Sequence, residues 1–172
     1  MANAERAKTV AFSAVFFLSG TKLMVPRTGG RPRVTSYRDL AGRTVVVGTG
    51  TTNADVMRRL SEKVSPPFTV VEAPSLDAAY AMLAAGKADA FASDDILLAG
   101  YTATRPGDVE FGIVGDYLSF EPYAITLRRD DPEFADLVKT TFARLASEGT
   151  LGHLMTNGSW TGCRRERHCR CR

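Results

Sequence analysis

Apolar residues recur along the chain with two alternating periods. Short runs at residues 16–25, 44–47, 68–71, 88–92 and 111–114 read as strands, while the stretches between them carry apolar positions three and four apart, as helices do. That rhythm predicts an α/β chain with a mostly parallel sheet flanked by helices. Val56, Met57, Leu60 and Val64 share one helical face, and their helix must end before Pro66-Pro67. Ser75 is expected to cap a second helix whose buried stripe is Leu76, Ala79, Tyr80 and Leu83, with Gly86 as its stop. A third helix opens at Asp94-Asp95, where carboxylates complement the positive end of the helix dipole. Pro106-Gly107 marks a surface turn over 102–108. Asp131, then Pro132, then Phe134, Leu137, Val138, Thr141, Phe142 and Leu145 before Gly149 give the clearest helical signature in the chain.

The ends of this pattern do not belong to the central βαβ array. The strand expected over 9–18 and the helix after Asp131 each need an apolar partner surface. They are expected to pack on a different body, with 21–25 and 121–127 as paired crossings between bodies. The apolar stretch near the N-terminus superficially resembles a signal peptide, but Glu5, Arg6 and Lys8 make a mixed-charge head, Ser13 interrupts the run, and no small-residue cleavage site follows. It is also far shorter than the roughly 20 apolar residues of a spanning helix. It reads as a folded strand.

Composition narrows the picture. A chain of 172 residues holds one domain of ordinary size and is marginal for two complete ones. With 44% hydrophobic and 24% charged residues it has a globular balance. The net charge of +3 would invite a nucleic-acid or membrane partner if it were spread over a face. Instead Arg164, Arg165, Arg167, Arg170 and Arg172 crowd into the last ten residues without interleaved aromatics or helical spacing, so no nucleic-acid partner is expected. All three cysteines, Cys163, Cys169 and Cys171, lie in the same tail beside His168, so the body needs neither disulfide nor metal. A zinc site would need a second pair of ligands upstream, and none is there. Residues 156–172 are therefore expected to be an unstructured basic end, with no metal and no cofactor.

Two strand-to-helix turns stand out as candidate chemistry, because open α/β sheets bind ligands beyond the carboxyl ends of their strands. Gly48-Thr49-Gly50-Thr51-Thr52-Asn53 opens a helix with small residues, hydroxyls and backbone N–H groups, which suits a carboxylate or phosphate. It has neither the Gly-Lys-Ser/Thr ending of a nucleoside-triphosphate loop nor the third glycine of a dinucleotide fingerprint. Ser93-Asp94-Asp95 opens another helix with carboxylates that can receive an ammonium group. Each turn alone reads equally well as an ordinary helix cap. Together they make a receptor for a zwitterion, the pattern common to amino acids. The catalytic inventory is thin: only His153 and His168 occur, and no Ser-His-Asp order with a nucleophile elbow is present.

An ordered series of segments then resembles the solute-binding proteins of family 3, most of all their glutamate/aspartate-binding members. It comprises Asn3-Ala4-Glu5-Arg6, Val10-Ala11-Phe12-Ser13, Ser19-Gly20-Thr21-Lys22-Leu23, Asp39-Leu40-Ala41-Gly42-Arg43-Thr44-Val45, Gly50-Thr51-Thr52-Asn53, Gly86-Lys87-Ala88-Asp89-Ala90-Phe91 and Asp94-Asp95-Ile96-Leu97-Leu98-Ala99-Gly100. It continues through Glu121-Pro122-Tyr123 and Arg128-Arg129-Asp130-Asp131-Pro132 to about Leu154. The resemblance implies the type 2 periplasmic binding protein fold, with one complete lobe and part of the other. It implies a first-lobe remnant over 1–20, a crossing strand over 21–25, the second lobe over 26–120, a return crossing over 121–127, first-lobe helices over 128–155 and the atypical tail beyond.

The same resemblance implies the roles of individual residues. Arg6 matches the arginine that clamps the ligand α-carboxylate, a role suited to its bidentate fork. Thr21 matches a polar contact on the crossing strand. Gly50, Thr51 and Thr52 match second-lobe carboxylate contacts made partly through N–H groups, and Asp94 matches the acceptor of the α-ammonium. The implied function is the substrate-binding component of an ABC amino-acid importer, a periplasmic monomer that closes by hinge motion on a polar or acidic amino acid and docks on a membrane permease. A dehydratase-like enzyme of the same fold and a sensor domain are the alternatives. Three departures matter. The family's N-terminal half of lobe one has no counterpart before Asn3. A histidine that reads the ligand side chain in some members is replaced around Ser75-Leu76, which leaves acidic specificity unsupported. From about Met155 the closing helix gives way to a tail, with Trp160 as a remnant, that has the look of a shifted reading frame. The chain as it stands is therefore expected to bind amino acids weakly or not at all.

Overall fold

The architecture follows from three short β-branched or small-residue strands whose two faces are both covered by helices. It was obtained as a computed structural model that describes residues 2–105 and 109–158. The strands are β1 (Ala11–Phe12), β2 (Phe17–Ser19), β3 (Thr21–Thr28), β4 (Arg31–Pro32), β5 (Thr44–Gly48), β6 (Thr69–Ala73), β7 (Ala90–Asp94), β8 (Phe111–Val114), β9 (Glu121–Tyr123) and β10 (Thr126–Leu127). The helices are α1 (Thr52–Ser61), α2 (Leu76–Ala84), α3 (Asp95–Thr104), α4 (Pro132–Ser147) and α5 (Thr150–Gly158). The chain divides into two units: Gly20–Phe120 forms one, and the residues up to Ser19 together with those from Glu121 onward form the other. The expectations for Cys163, Cys169, Cys171, His168, Trp160 and the Pro106-Gly107 turn lie outside the described residues.

The unit over Gly20–Phe120 is built on a sheet ordered β4-β3-β7-β5-β6, with β8 on the other edge of β3. Strands β5, β6 and β7 are parallel, as helical crossovers require. Strand β3 runs antiparallel to both β7 and β8. Alternation along the strands sorts the core by face. Leu23, Val25, Val45, Val47, Ala90 and Ala92 join Ala54 and Met57 of α1 on one side. Met24, Val46 and Phe91 join Ala79 and Leu83 of α2 and Leu98 of α3 on the other. Phe91 is wholly buried. Because helices cover both faces, every residue of β7 is buried, and small side chains at Ala90 and Ala92 let α1 approach.

Local signals acted as expected where a side chain can complete them alone. Ser75 accepts a hydrogen bond from the backbone N–H of Ala78 at 3.1 Å, and Asp131 accepts one from Phe134 at 3.0 Å. One expectation is corrected. The run 16–25 is not a single strand: it breaks at Gly20, so that Phe17–Ser19 pairs with Glu121–Tyr123 in one unit while Thr21–Thr28 is built into the sheet of the other. The pairing expected between 21–25 and 121–127 accordingly falls four residues earlier on the first strand, with Phe17 opposite Tyr123. Period alone could not place this break, since both halves are apolar.

In the other unit, β1 pairs with β10 and β2 with β9, and Phe142 of α4 packs on Phe16 with ring centroids 5.5 Å apart. The apolar stripe of α4 is only partly covered: Phe134 and Leu137 are exposed.

A polar and aromatic clasp ties α2 to α3. The Tyr101 hydroxyl and the Arg105 guanidinium both donate to Asp77 Oδ1 at 2.7 Å, and the Tyr80 and Tyr101 rings stack with centroids 5.1 Å apart. Burial, and then the Asp77 hydrogen bond and charge, push the Tyr101 phenol up to about 12. Since the fold holds the neutral phenol, its contribution to stability is complete below the ordinary tyrosine value of 10.0 and is lost as pH rises through about 12. Spectrophotometric titration of the five tyrosines should therefore show a late phase that Tyr101→Phe removes; a Tyr101→Phe curve unchanged from wild type would refute the clasp.

Candidate functional site

The carboxyl ends of β5 and β7 lie side by side, because the two strands are parallel neighbours with Val45 opposite Ala90 and Val46 opposite Phe91. Helix α1 starts just beyond one end and α3 just beyond the other. The two turns singled out in the sequence therefore share one sheet edge.

Gly50 turns the chain with φ of 68°, a left-handed conformation that a Cβ would strain. Thr51 follows as the N-cap of α1, yet its side chain does not cap the helix: its hydroxyl donates instead to the Gly48 carbonyl at 2.7 Å. Asp94 is the N-cap of α3, and its carboxylate does not cap that helix either. In the same chain Ser75 and Asp131 occupy equivalent positions and do cap. The ordinary explanation for a Thr and an Asp at these places thus fails on geometry.

What the two side chains do becomes clear from the residues between them. Asp94 is 1% exposed, Asn53 3% and Thr21 fully buried. Asn53 Nδ2 donates to Asp94 Oδ1 at 3.0 Å. Thr21, which stands opposite Asp94 in the β3–β7 ladder, donates its hydroxyl to Asn53 Oδ1 and lies 2.7 Å from Ser119 Oγ. The result is a polar cluster at the carboxyl end of β7, with Thr21, Asn53 and Asp94 buried and Ser119 half-buried. Burying a carboxylate is expensive unless partners offset the lost hydration, so its presence here points to a task.

Sequence reasoning singled out Gly50, Thr51, Thr52, Thr21 and Asp94; of these Thr21 and Asp94 fall in the polar cluster, whose other members, Asn53 and Ser119, it missed. Asn53 was visible as the last residue of the turn motif. Ser119 carries no sequence signal, because only the return of the chain after β8, where the Leu118 N–H donates to the Thr21 carbonyl at 2.9 Å, brings it here. Ser93, next to Asp94, is 1% exposed, and its hydroxyl has no hydrogen-bond partner; the structure gives no reason for it.

Arg6 belongs to the other unit. It opens a 3-10 turn, Arg6–Lys8, and is exposed; the Asn3 side chain accepts from its backbone N–H at 2.8 Å, and its carbonyl accepts from Thr9 and Val10, each at 3.0 Å. These bonds fix the backbone from which the guanidinium projects. Among the described residues, no cluster of three or more His, Cys, Asp or Glu side chains is arranged to hold a metal ion. No helix among them is long and apolar enough to cross a membrane.

Comparison with known proteins gives a consistent result. No family-level sequence profile matches the chain. It is 35% identical over 147 residues to a glutamate/aspartate import solute-binding protein of Salmonella typhimurium, an alignment that spans 86% of this chain and 48% of that protein. The chain spans about half the length of the curated relatives it matches. Among solved structures it is similar to the GluR0 ligand-binding core from Nostoc punctiforme in complex with L-glutamate, with a TM-score of 0.74 and 29% identity, over 91% of this chain and 68% of that one. It is also similar to an ancestral arginine-binding protein bound to arginine, with a TM-score of 0.78 and 25% identity, over 91% of this chain and 67% of that one.

Proposed function

Because the chain is a homologue of the family 3 amino-acid solute-binding proteins and has their type 2 periplasmic binding protein fold, we propose that it serves as substrate-binding component of an ABC importer for a polar or acidic amino acid. The observation that carries this reading is the pair of N-caps at one sheet edge, Thr51 and Asp94, neither of which caps its helix. The Gly50–Thr52 turn supplies N–H and hydroxyl groups to a ligand carboxylate, and Asp94 receives the α-ammonium. In the other unit, Arg6 offers a bidentate guanidinium that suits a carboxylate. In this reading the protein is a periplasmic monomer, it hands its ligand to a membrane permease, and it has no catalytic activity.

A second reading is a ligand-sensing domain, which the likeness to the GluR0 ligand-binding core favours. Both readings require the same recognition chemistry. NMR titration of this chain with L-glutamate, L-aspartate, L-glutamine and L-arginine measures even weak binding. Saturable shifts at Gly50–Asn53 and Asp94 are expected with at least one of the four. Absence of any saturable shift up to about 50 mM, well beyond a millimolar Kd, would overturn the proposal.

A further inference from the structure

The residue types in the cluster fix the direction of the three hydrogen bonds that link Ser119, Thr21, Asn53 and Asp94. A carboxylate only accepts, so the group of Asn53 that faces Asp94 must be its NH2, as the 3.0 Å contact from Nδ2 to Oδ1 has it. The amide oxygen must then face the other way, toward Thr21, and an amide oxygen also only accepts. Thr21 therefore spends its one hydroxyl hydrogen on Asn53 Oδ1. Across the 2.7 Å contact with Ser119 Oγ, Thr21 has only a lone pair left to offer, so Ser119 is the donor there.

We infer that Ser119, Thr21 and Asn53 form a one-way hydrogen-bond relay that ends on Asp94, and that Thr21 and Asn53 are positioning residues for its carboxylate. The consequence for amino-acid recognition rests on the role proposed above for Asp94; the relay itself does not. Each donor in the series polarises the next, and burial of Thr21, Asn53 and Asp94 keeps water from competing for their groups, while Ser119 at the outer end is half-buried. The relay also joins three separate pieces of chain: the sheet edge at Thr21, the first turn of α1 at Asn53 and the segment after β8 at Ser119. Thr21, matched in sequence to a direct ligand contact, acts in this arrangement through Asn53, two hydrogen bonds from Asp94, since its one hydroxyl hydrogen is spent on the Asn53 amide oxygen.

The test uses Thr21→Val, which keeps the shape and removes the hydroxyl, beside Thr21→Ser, which keeps the hydroxyl. In the ligand-free protein, Thr21→Val is expected to shift the Asn53 side-chain amide and the Asp94 carboxyl carbon resonances, and Thr21→Ser is expected to return them toward wild type. If Thr21→Val leaves both resonances in place while the protein remains folded, the relay is overturned whatever the ligand does. If Thr21→Val fails to fold, Ser119→Ala gives the same readout from the outer end of the series, with unchanged resonances again refuting the relay. In the presence of ligand, Thr21→Val is expected to weaken L-glutamate and L-glutamine by the same factor, about tenfold, because it acts on the group that reads the shared ammonium. Unequal losses would overturn the positioning role. Moved resonances in a protein that titrates with no amino acid would leave the relay standing and remove the receptor reading instead.

Discussion

Asp94→Asn is expected to weaken binding of L-glutamate by about 100-fold or more while leaving the fold intact. The substitution is nearly isosteric, and the new amide oxygen can still accept from Asn53 Nδ2, so the relay and the start of α3 survive. What it removes is the negative charge. Asp94 is 1% exposed. An ammonium paired with it is therefore largely stripped of water, and losing one partner of such a buried pair typically costs about 3–5 kcal/mol. A hundredfold loss corresponds to about 2.7 kcal/mol, just below that range, so a loss of at least this size is expected. The measurement is a titration of wild type and variant under identical salt and pH, with thermal unfolding of both as control. An affinity within about threefold of wild type would show that the ammonium is read elsewhere.

Gly20→Ala should cost about 3 kcal/mol of stability in the Gly20–Phe120 unit, a large effect for one methyl group. A Cβ on Gly20 would stand 2.2 Å from the Ser119 carbonyl oxygen and 2.5 Å from Tyr117 Cδ1. Neither obstacle can step aside easily. The first is backbone, and the Tyr117 hydroxyl is anchored 2.6 Å from Asp95 Oδ2 while its ring lies under Lys22 Nζ at 4.6 Å. The Gly20 carbonyl is itself held, accepting from the Asp95 N–H at 2.9 Å. The strain falls on the segment that carries Ser119, so the variant should also loosen the relay at its first donor. Chemical denaturation with matched m-values measures the loss. A midpoint unchanged from wild type would mean that the segment after β8 is free to move away, contrary to the packing described.

How far the site was legible in the sequence depended on whether its parts were local. The Gly50-Thr51-Thr52 turn and Asp94 announce themselves because each sits where a strand ends and a helical stripe begins, and a small or acidic residue at such a junction has few explanations. The helix caps at Ser75 and Asp131 were legible for the same reason, since cap and acceptor lie within three residues of each other. Thr21 was found as a residue, but its job was not. Nothing along the chain says that a strand hydroxyl will meet an amide 32 positions away and a second hydroxyl 98 positions away.

The sequence by itself determined the alternation of strands and helices, the parallel β5–β6–β7 core, the apolar stripes of the helices, and the two strand-to-helix turns proposed to carry recognition groups. These follow from periodicity and from caps, which involve neighbours along the chain. Only the tertiary structure decided that the run 16–25 breaks at Gly20, that Thr51 and Asp94 leave their own helices uncapped, and that Ser119, Thr21 and Asn53 close on Asp94. Those outcomes depend on which distant backbone passes within a few ångströms, a quantity that sequence spacing does not encode.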